Sequence, residues 1–107
     1  MGNRFPVDGF GPEPPPRLSR DEFRKVVNFL VRRNGFAVSM HLKRDHPERR
    51  ISHVDIEACL LLGTVQDNPF INHHGNWQAP MVRHRAGEAL IVVVAIEWAE
   101  RIIVVTA

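Results

Sequence analysis

Residues 89–98 read ALIVVVAIEW, and no other stretch limits the fold as sharply. The strongly apolar part, Ala89 to Ile96, is far short of the ~20 residues a helix needs to cross a bilayer. Read as a strand, it is apolar on both alternating faces, which marks a central position in a sheet with neighbours on each side. Those neighbours are visible in the flanking sequence. Residues 101–106 (RIIVVT) follow after Ala99-Glu100, and residues 77–85 (WQAPMVRHR) precede, joined by the tight connection Ala86-Gly87-Glu88. Residues 64–71 form a further candidate strand, interrupted or edged at Asn68-Pro69 because proline cannot donate to a ladder. His73 to Asn76 reads as the turn between them.

The first half of the chain has the other period. Ser19-Arg20-Asp21-Glu22 is a capping box, in which Ser19 caps a helix and Glu22 reaches back to it. Phe23, Val26, Val27, Leu30 and Val31 follow at helical spacing as one apolar stripe, and Asn34-Gly35 supplies the stop. Arg20, Arg24, Lys25, Arg32 and Arg33 lie off that stripe and are expected to face water or a ligand. Residues 36–40 read as an extended link, and Pro47 ends whatever helix His41 begins. Ser52 caps a second helix with Asp55 at its third position, a buried stripe of Ile56, Cys59 and Leu60, and Gly63 at its end. The expected fold is therefore α+β: two N-terminal helices packed on a four-stranded antiparallel sheet. Residues 1–17 hold five of the eight prolines and are expected to be a flexible tail before a single domain at 18–107.

A chain of 107 residues can bury a modest core without covalent staples. Its one cysteine, Cys59, excludes an internal disulfide and a cysteine-based zinc site, and a reducing cytoplasm is the default. No apolar signal region opens the sequence. Glycine-rich nucleotide motifs are absent, and the six histidines show no metal-ligand spacing, so neither a cofactor nor a metal is expected. The charge is unevenly placed. Residues 17–50 hold ten Lys/Arg against four Asp/Glu, whereas residues 51–107 hold three against six. Such a basic half suggests an anionic partner, either nucleic acid or an acidic protein.

One segment carries most of the chemistry. His41 is followed seven and eight residues later by Glu48-Arg49, then by Ile51-Ser52 and Asp55-Ile56. This spacing resembles the head of the domain of unknown function 4258 family, in which a His and paired arginines precede I-S-x-x-D-V/I and a helix ending in Gly. The resemblance runs through Gly75-Asn76, the LIVVV strand and the closing IIVVT, covering residues 36–107. It implies a fold similar to RelE-like and colicin-D-like small ribonucleases, which tend to be toxins acting on RNA without a metal. The matching positions here are His41, Arg49 and Thr106. Where the family has an arginine four residues after the His, this chain has Asp45 with Arg44 beside it, and Pro47 lies in the same loop.

The chemistry of these residue types is coherent with that implication. A histidine titrates near neutrality and serves as acid or base. Arginine forks onto phosphate oxygens and stabilises charge growing in the transition state. On this reading His41 is the acid or base, Arg49 holds the phosphate and Thr106 donates a hydrogen bond. Lys43, Arg44, Arg50, Arg83 and Arg85 follow the RNA backbone. Each residue also has a plainer role: His41 satisfies a carbonyl, Arg49 and Arg50 pair with Glu48 or Asp55, and Thr106 is a β-former. Arg83 and Arg85 share one face of their strand, which contacts phosphate only if the helices leave that face uncovered. The alternatives to an RNA-cleaving or RNA-binding domain are two. One is a non-catalytic module whose basic helix face meets an acidic antitoxin or other acidic protein, and the other is a family member that has lost its chemistry.

Overall fold

The computed structural model describes residues 10–39, 52–98 and 100–106, with 105 and 106 described by backbone alone. Helix α1 spans Arg20–Asn34 and begins with the capping box that the sequence predicts. The Ser19 hydroxyl accepts from the Glu22 N–H at 3.1 Å, and a Glu22 carboxylate oxygen accepts from the Ser19 N–H at 2.8 Å. The stripe Phe23, Val26, Val27, Leu30 and Val31 is buried. Gly35 stops the helix with a φ of +71° that glycine adopts without a Cβ penalty, and its N–H donates to the Val31 carbonyl at 2.9 Å.

Strand β1 (Phe36–Val38) follows directly, and then helix α2 (His53–Leu62). The remaining strands are β2 (Thr64–Val65), β3 (Phe70–Ile71), β4 (Trp77–Arg85), β5 (Glu88–Glu97) and β6 (Arg101–Thr106). They form one six-stranded sheet in the order β1-β6-β5-β4-β2, with β3 also paired to β4. All pairs are antiparallel except β1 with β6, which is parallel.

This corrects the expected fold class in two ways. The sheet is mixed and six-stranded rather than four-stranded and antiparallel, and a strand lies between the helices, so the chain does not place both helices before the sheet. The physical reasons are local. A three-residue strand is too short to show alternation, and its partner β6 lies more than sixty residues away in sequence, so nothing nearby announces the pairing of Phe36 with Ile102. The single strand expected over residues 64–71 divides in two. Only its ends pair with β4, while Asn68, just before Pro69, turns its side-chain oxygen to the Arg20 Nε at 3.0 Å.

Register sorts the sheet into two faces. Trp77, Ile96 and Ile102 stand opposite one another across β4, β5 and β6, as do Ala79, Val94 and Val104, while Met81 opposes Val92. These residues are buried under α1 and α2, sharing one core with Phe23, Leu30, Cys59 and Leu60. Pro80, Val82, Ile91, Val93 and Ile103 point to the other face, which neither helix covers. At the Trp77 end of the covered face, residues 10–18 lie against the sheet. The Trp77 Nε1 donates to the Pro15 carbonyl at 3.0 Å, and the Trp98 Nε1 donates to the Gly11 carbonyl at 3.0 Å. Phe10 meets Trp98 edge to face, with ring centres 5.6 Å apart.

Candidate nucleic-acid interface

The covered face of β4 changes character along its length. Trp77, Ala79 and Met81 are buried, Arg83 is half-buried and Arg85 is exposed. The two arginines therefore share the helix-bearing face but lie beyond the part that the helices close. They border an open hollow of about 740 Å³, completed by Asp55 of α2, Ala86 of the turn and Glu88 to Leu90 of β5.

Helix α2 is fixed at both ends. The Ser52 hydroxyl accepts from the Val54 N–H at 3.1 Å, leaving Asp55 in the first turn. At the other end the Gly63 carbonyl accepts from the Arg24 Nε at 2.9 Å, a cation placed at the negative end of the helix dipole. Gly63 also lies against backbone: a Cβ there would sit 2.5 Å from the Cys59 carbonyl oxygen and 2.7 Å from that of Val82. Between these ends the buried Cys59 thiol points at the Met81 and Leu90 carbonyls, 3.6 and 3.7 Å away. Burial pushes that thiol up to about 11, against the opposing charge of Arg83. Cys59 is thus a small core side chain and an unreactive one.

The hairpin that forms the rim is tight. Ala86 and Gly87 have φ of +51° and +81°, the pattern of the two-residue turn that matches strand twist. This turn sets Arg85 opposite Glu88. Arg85 also approaches Asp55 at 3.8 Å, with both side chains more than half exposed, a contact worth well under ~1 kcal/mol. Arg83 forms no ion pair with a carboxylate among the described residues. The two arginines are therefore unequal: Arg85 is flanked by Asp55 and Glu88, while Arg83 has no described carboxylate paired with it.

Of the residues singled out in the sequence, the structure brings Arg83 and Arg85 together at this hollow. Thr106 is elsewhere. It pairs with Val93, whereas Arg83 pairs with Leu90 from the other side of β5, a separation of roughly 10 Å across the sheet and roughly 10 Å along it. His41, Lys43, Arg44, Arg49 and Arg50 lie outside the described residues.

The α1 cations are less available than their spacing suggests. Arg24 holds Gly63, Arg20 holds Asn68, and Arg33 lies over the Phe29 ring at 5.3 Å. Glu88, which the sequence places in the connection after Ala86-Gly87, instead opens β5 and stands opposite Arg85. A second hollow, about 500 Å³, lies by the β3–β4 turn and includes His73, His74 and Glu97. Asn72 organises that turn: its Oδ1 accepts from the His74 and Asn76 N–H groups, and its Nδ2 donates to Gln78. Among the described residues no group of three or more His, Cys, Asp or Glu side chains is arranged to hold a metal. No helix among them is long and apolar enough to cross a membrane. No family model, curated protein or solved structure matches the chain.

Proposed function

We propose that this protein binds RNA through its sugar–phosphate backbone, with Arg83 and Arg85 as phosphate contacts at the hollow beside α2. One observation carries the reading. The two arginines share the helix-bearing face of β4, yet the helices leave them accessible, and Arg83 has no carboxylate partner among the described residues. A guanidinium in that position gains more from a phosphate than from water, because the fork donates two parallel bonds to two oxygens. The exposed Arg85–Asp55 contact is weak enough for a phosphate to displace. Residues 41–50 immediately precede the α2 cap in sequence and carry Lys43, Arg44, Arg49 and Arg50 against Asp45 and Glu48, which adds to the positive charge offered to a polyanion.

Cleavage is the finer part of the proposal. It assigns His41 as acid or base and Arg49 as the group that stabilises the phosphorane charge; Thr106, two strands away from Arg83, is not assigned to a phosphate held at this hollow. Metal-independent chemistry of this kind needs no more than those groups and a bound phosphodiester. The two parts separate experimentally. Fluorescence anisotropy with a labelled single-stranded RNA should show binding that R83A and R85A each weaken, R83A more. Incubation of cellular RNA with the protein in EDTA, beside H41A and R49A, tests cleavage. Products that both substitutions abolish would support a ribonuclease. Binding without products would leave an RNA-binding domain, and no binding would remove the proposal altogether.

A further inference from the structure

Both tryptophans of the chain act on one short segment. Trp77 opens β4 opposite Ile96, and Trp98 lies two residues beyond Ile96, just past the end of β5. Each indole N–H donates to a backbone carbonyl of the segment crossing them, Trp98 to Gly11 and Trp77 to Pro15, both at 3.0 Å. That segment, residues 10–17, reads FGPEPPPR, with four prolines in eight residues, and contains no helix or strand. Aromatic-lined grooves are how proteins read proline-rich segments, because a backbone already stiffened by proline loses little entropy on docking.

The hold on the segment is thin. Phe10 and Pro15 are half-buried, whereas residues 11–14, 16 and 17 are exposed. The chain enters the core only at Leu18, and the capping box of α1 begins after it, at Ser19. Two hydrogen bonds and the edge-to-face contact of Phe10 with Trp98 are its described anchors.

We propose that the Trp77–Trp98 pair forms a docking groove for a proline-rich peptide of a partner protein, with residues 10–17 as its internal, displaceable occupant. The occupant defines what fits: an aromatic residue, then a small residue whose carbonyl meets Trp98, then a proline four positions on whose carbonyl meets Trp77. Exchange of this segment between two copies would remake the same contacts at an added cost in association entropy, which favours a distinct partner. The tethered segment competes at an effective concentration in the millimolar range, so loosening it strengthens binding of the partner peptide.

The test uses the full chain carrying F10A/P15G, which keeps both acceptor carbonyls but loses the contact with Trp98 and the fixed φ of proline. Its far-UV circular dichroism should match the wild type. A peptide of residues 9–17, which lacks tryptophan, is titrated while the two indole N–H resonances are followed by NMR. Both should shift saturably in the variant, and the wild type should need about tenfold more peptide. A peptide with alanine in place of its four prolines should shift neither. Adding W98F, which keeps a ring and loses the donor, should weaken binding about fivefold. Indole resonances that stay in place at millimolar peptide, or that move equally with the alanine peptide, would overturn the proposal. A variant that loses cooperative unfolding would also overturn it, since residues 10–17 would then be core and not ligand. So would a variant that dimerises in sedimentation velocity and ignores the peptide, since the groove would then belong to the segment of a second copy.

Discussion

At one end of the helix-bearing sheet face Trp77 is sealed beneath the chain's own residues 10–18, and at the other Arg83 and Arg85 stand at an open hollow. Both ends belong to one strand and one face. The difference is in what each side chain requires. An indole needs a cover and one acceptor, and a single extended segment offers both through the Pro15 carbonyl. A guanidinium needs anionic oxygens, and sealing it under apolar residues would cost several kcal/mol. Among the described residues the covering elements lie where the face is apolar and stop short of its cationic end, where the proposed phosphate contact would form.

The contrast can be broken from either end. Trp77→Ala at the sealed end has the largest expected effect, a loss of about 3–5 kcal/mol from a large buried aromatic. Chemical denaturation measures it, and a loss below about 1 kcal/mol would mean that residues 10–18 do not close the core. Gly63→Ala, between the two ends, should cost about 1–3 kcal/mol, because the new methyl meets the backbone oxygens of Cys59 and Val82 rather than a side chain that can move.

Alkaline pH gives a third test. The Cys59 thiol is held protonated up to about 11 in the folded chain. Its unfolded counterpart ionises about two pH units lower, so the unfolded state releases its proton first and gains on the folded one. Stability attributable to this group is whole below about pH 9 and falls by roughly 2 kcal/mol on the way to about pH 11. Cys59→Ala should flatten that part of the profile in thermal melts taken across the window; an unchanged slope would show that the thiol is not responsible. The smallest stability effect belongs to the open end. Arg85→Ala should change unfolding free energy by less than about 0.5 kcal/mol, since its contact with Asp55 is long and exposed. A larger loss would make Arg85 part of the scaffold and weaken its proposed role as a phosphate contact.

Much of this arrangement is legible in the residues, and the remainder fails for identifiable reasons. The capping box at Ser19, the stripe from Phe23 to Val31 and the centrality of β5 all rest on short-range patterns, and the structure has them. Strand β1 is invisible because three apolar residues carry no period and their partner is remote. The division of β2 from β3 follows from Pro69, whose missing donor marks an interruption in the sequence without showing that the ladder resumes beyond it. Alternation shows that Arg83 and Arg85 share a face, but not that α2 stops short of them, because helix placement is a tertiary outcome. Similarly, Arg24 reads as a surface cation until packing brings Gly63 to it. What the Trp77 and Trp98 donors bind is equally absent from local pattern, since both acceptors are backbone carbonyls more than sixty residues away.

The salt dependence of RNA binding tests the central claim most directly. For single-stranded RNA each neutralised phosphate contributes a slope of about −0.7 to log K against log salt concentration. Wild type and the R83A/R85A double variant would be titrated with one labelled RNA across a series of salt concentrations. The expected result is a slope shallower by about 1.4 in the double variant, because two phosphates are no longer neutralised, with unfolding free energy nearly unchanged. Parallel slopes, or no measurable binding by the wild type, would contradict the assignment of this hollow to RNA.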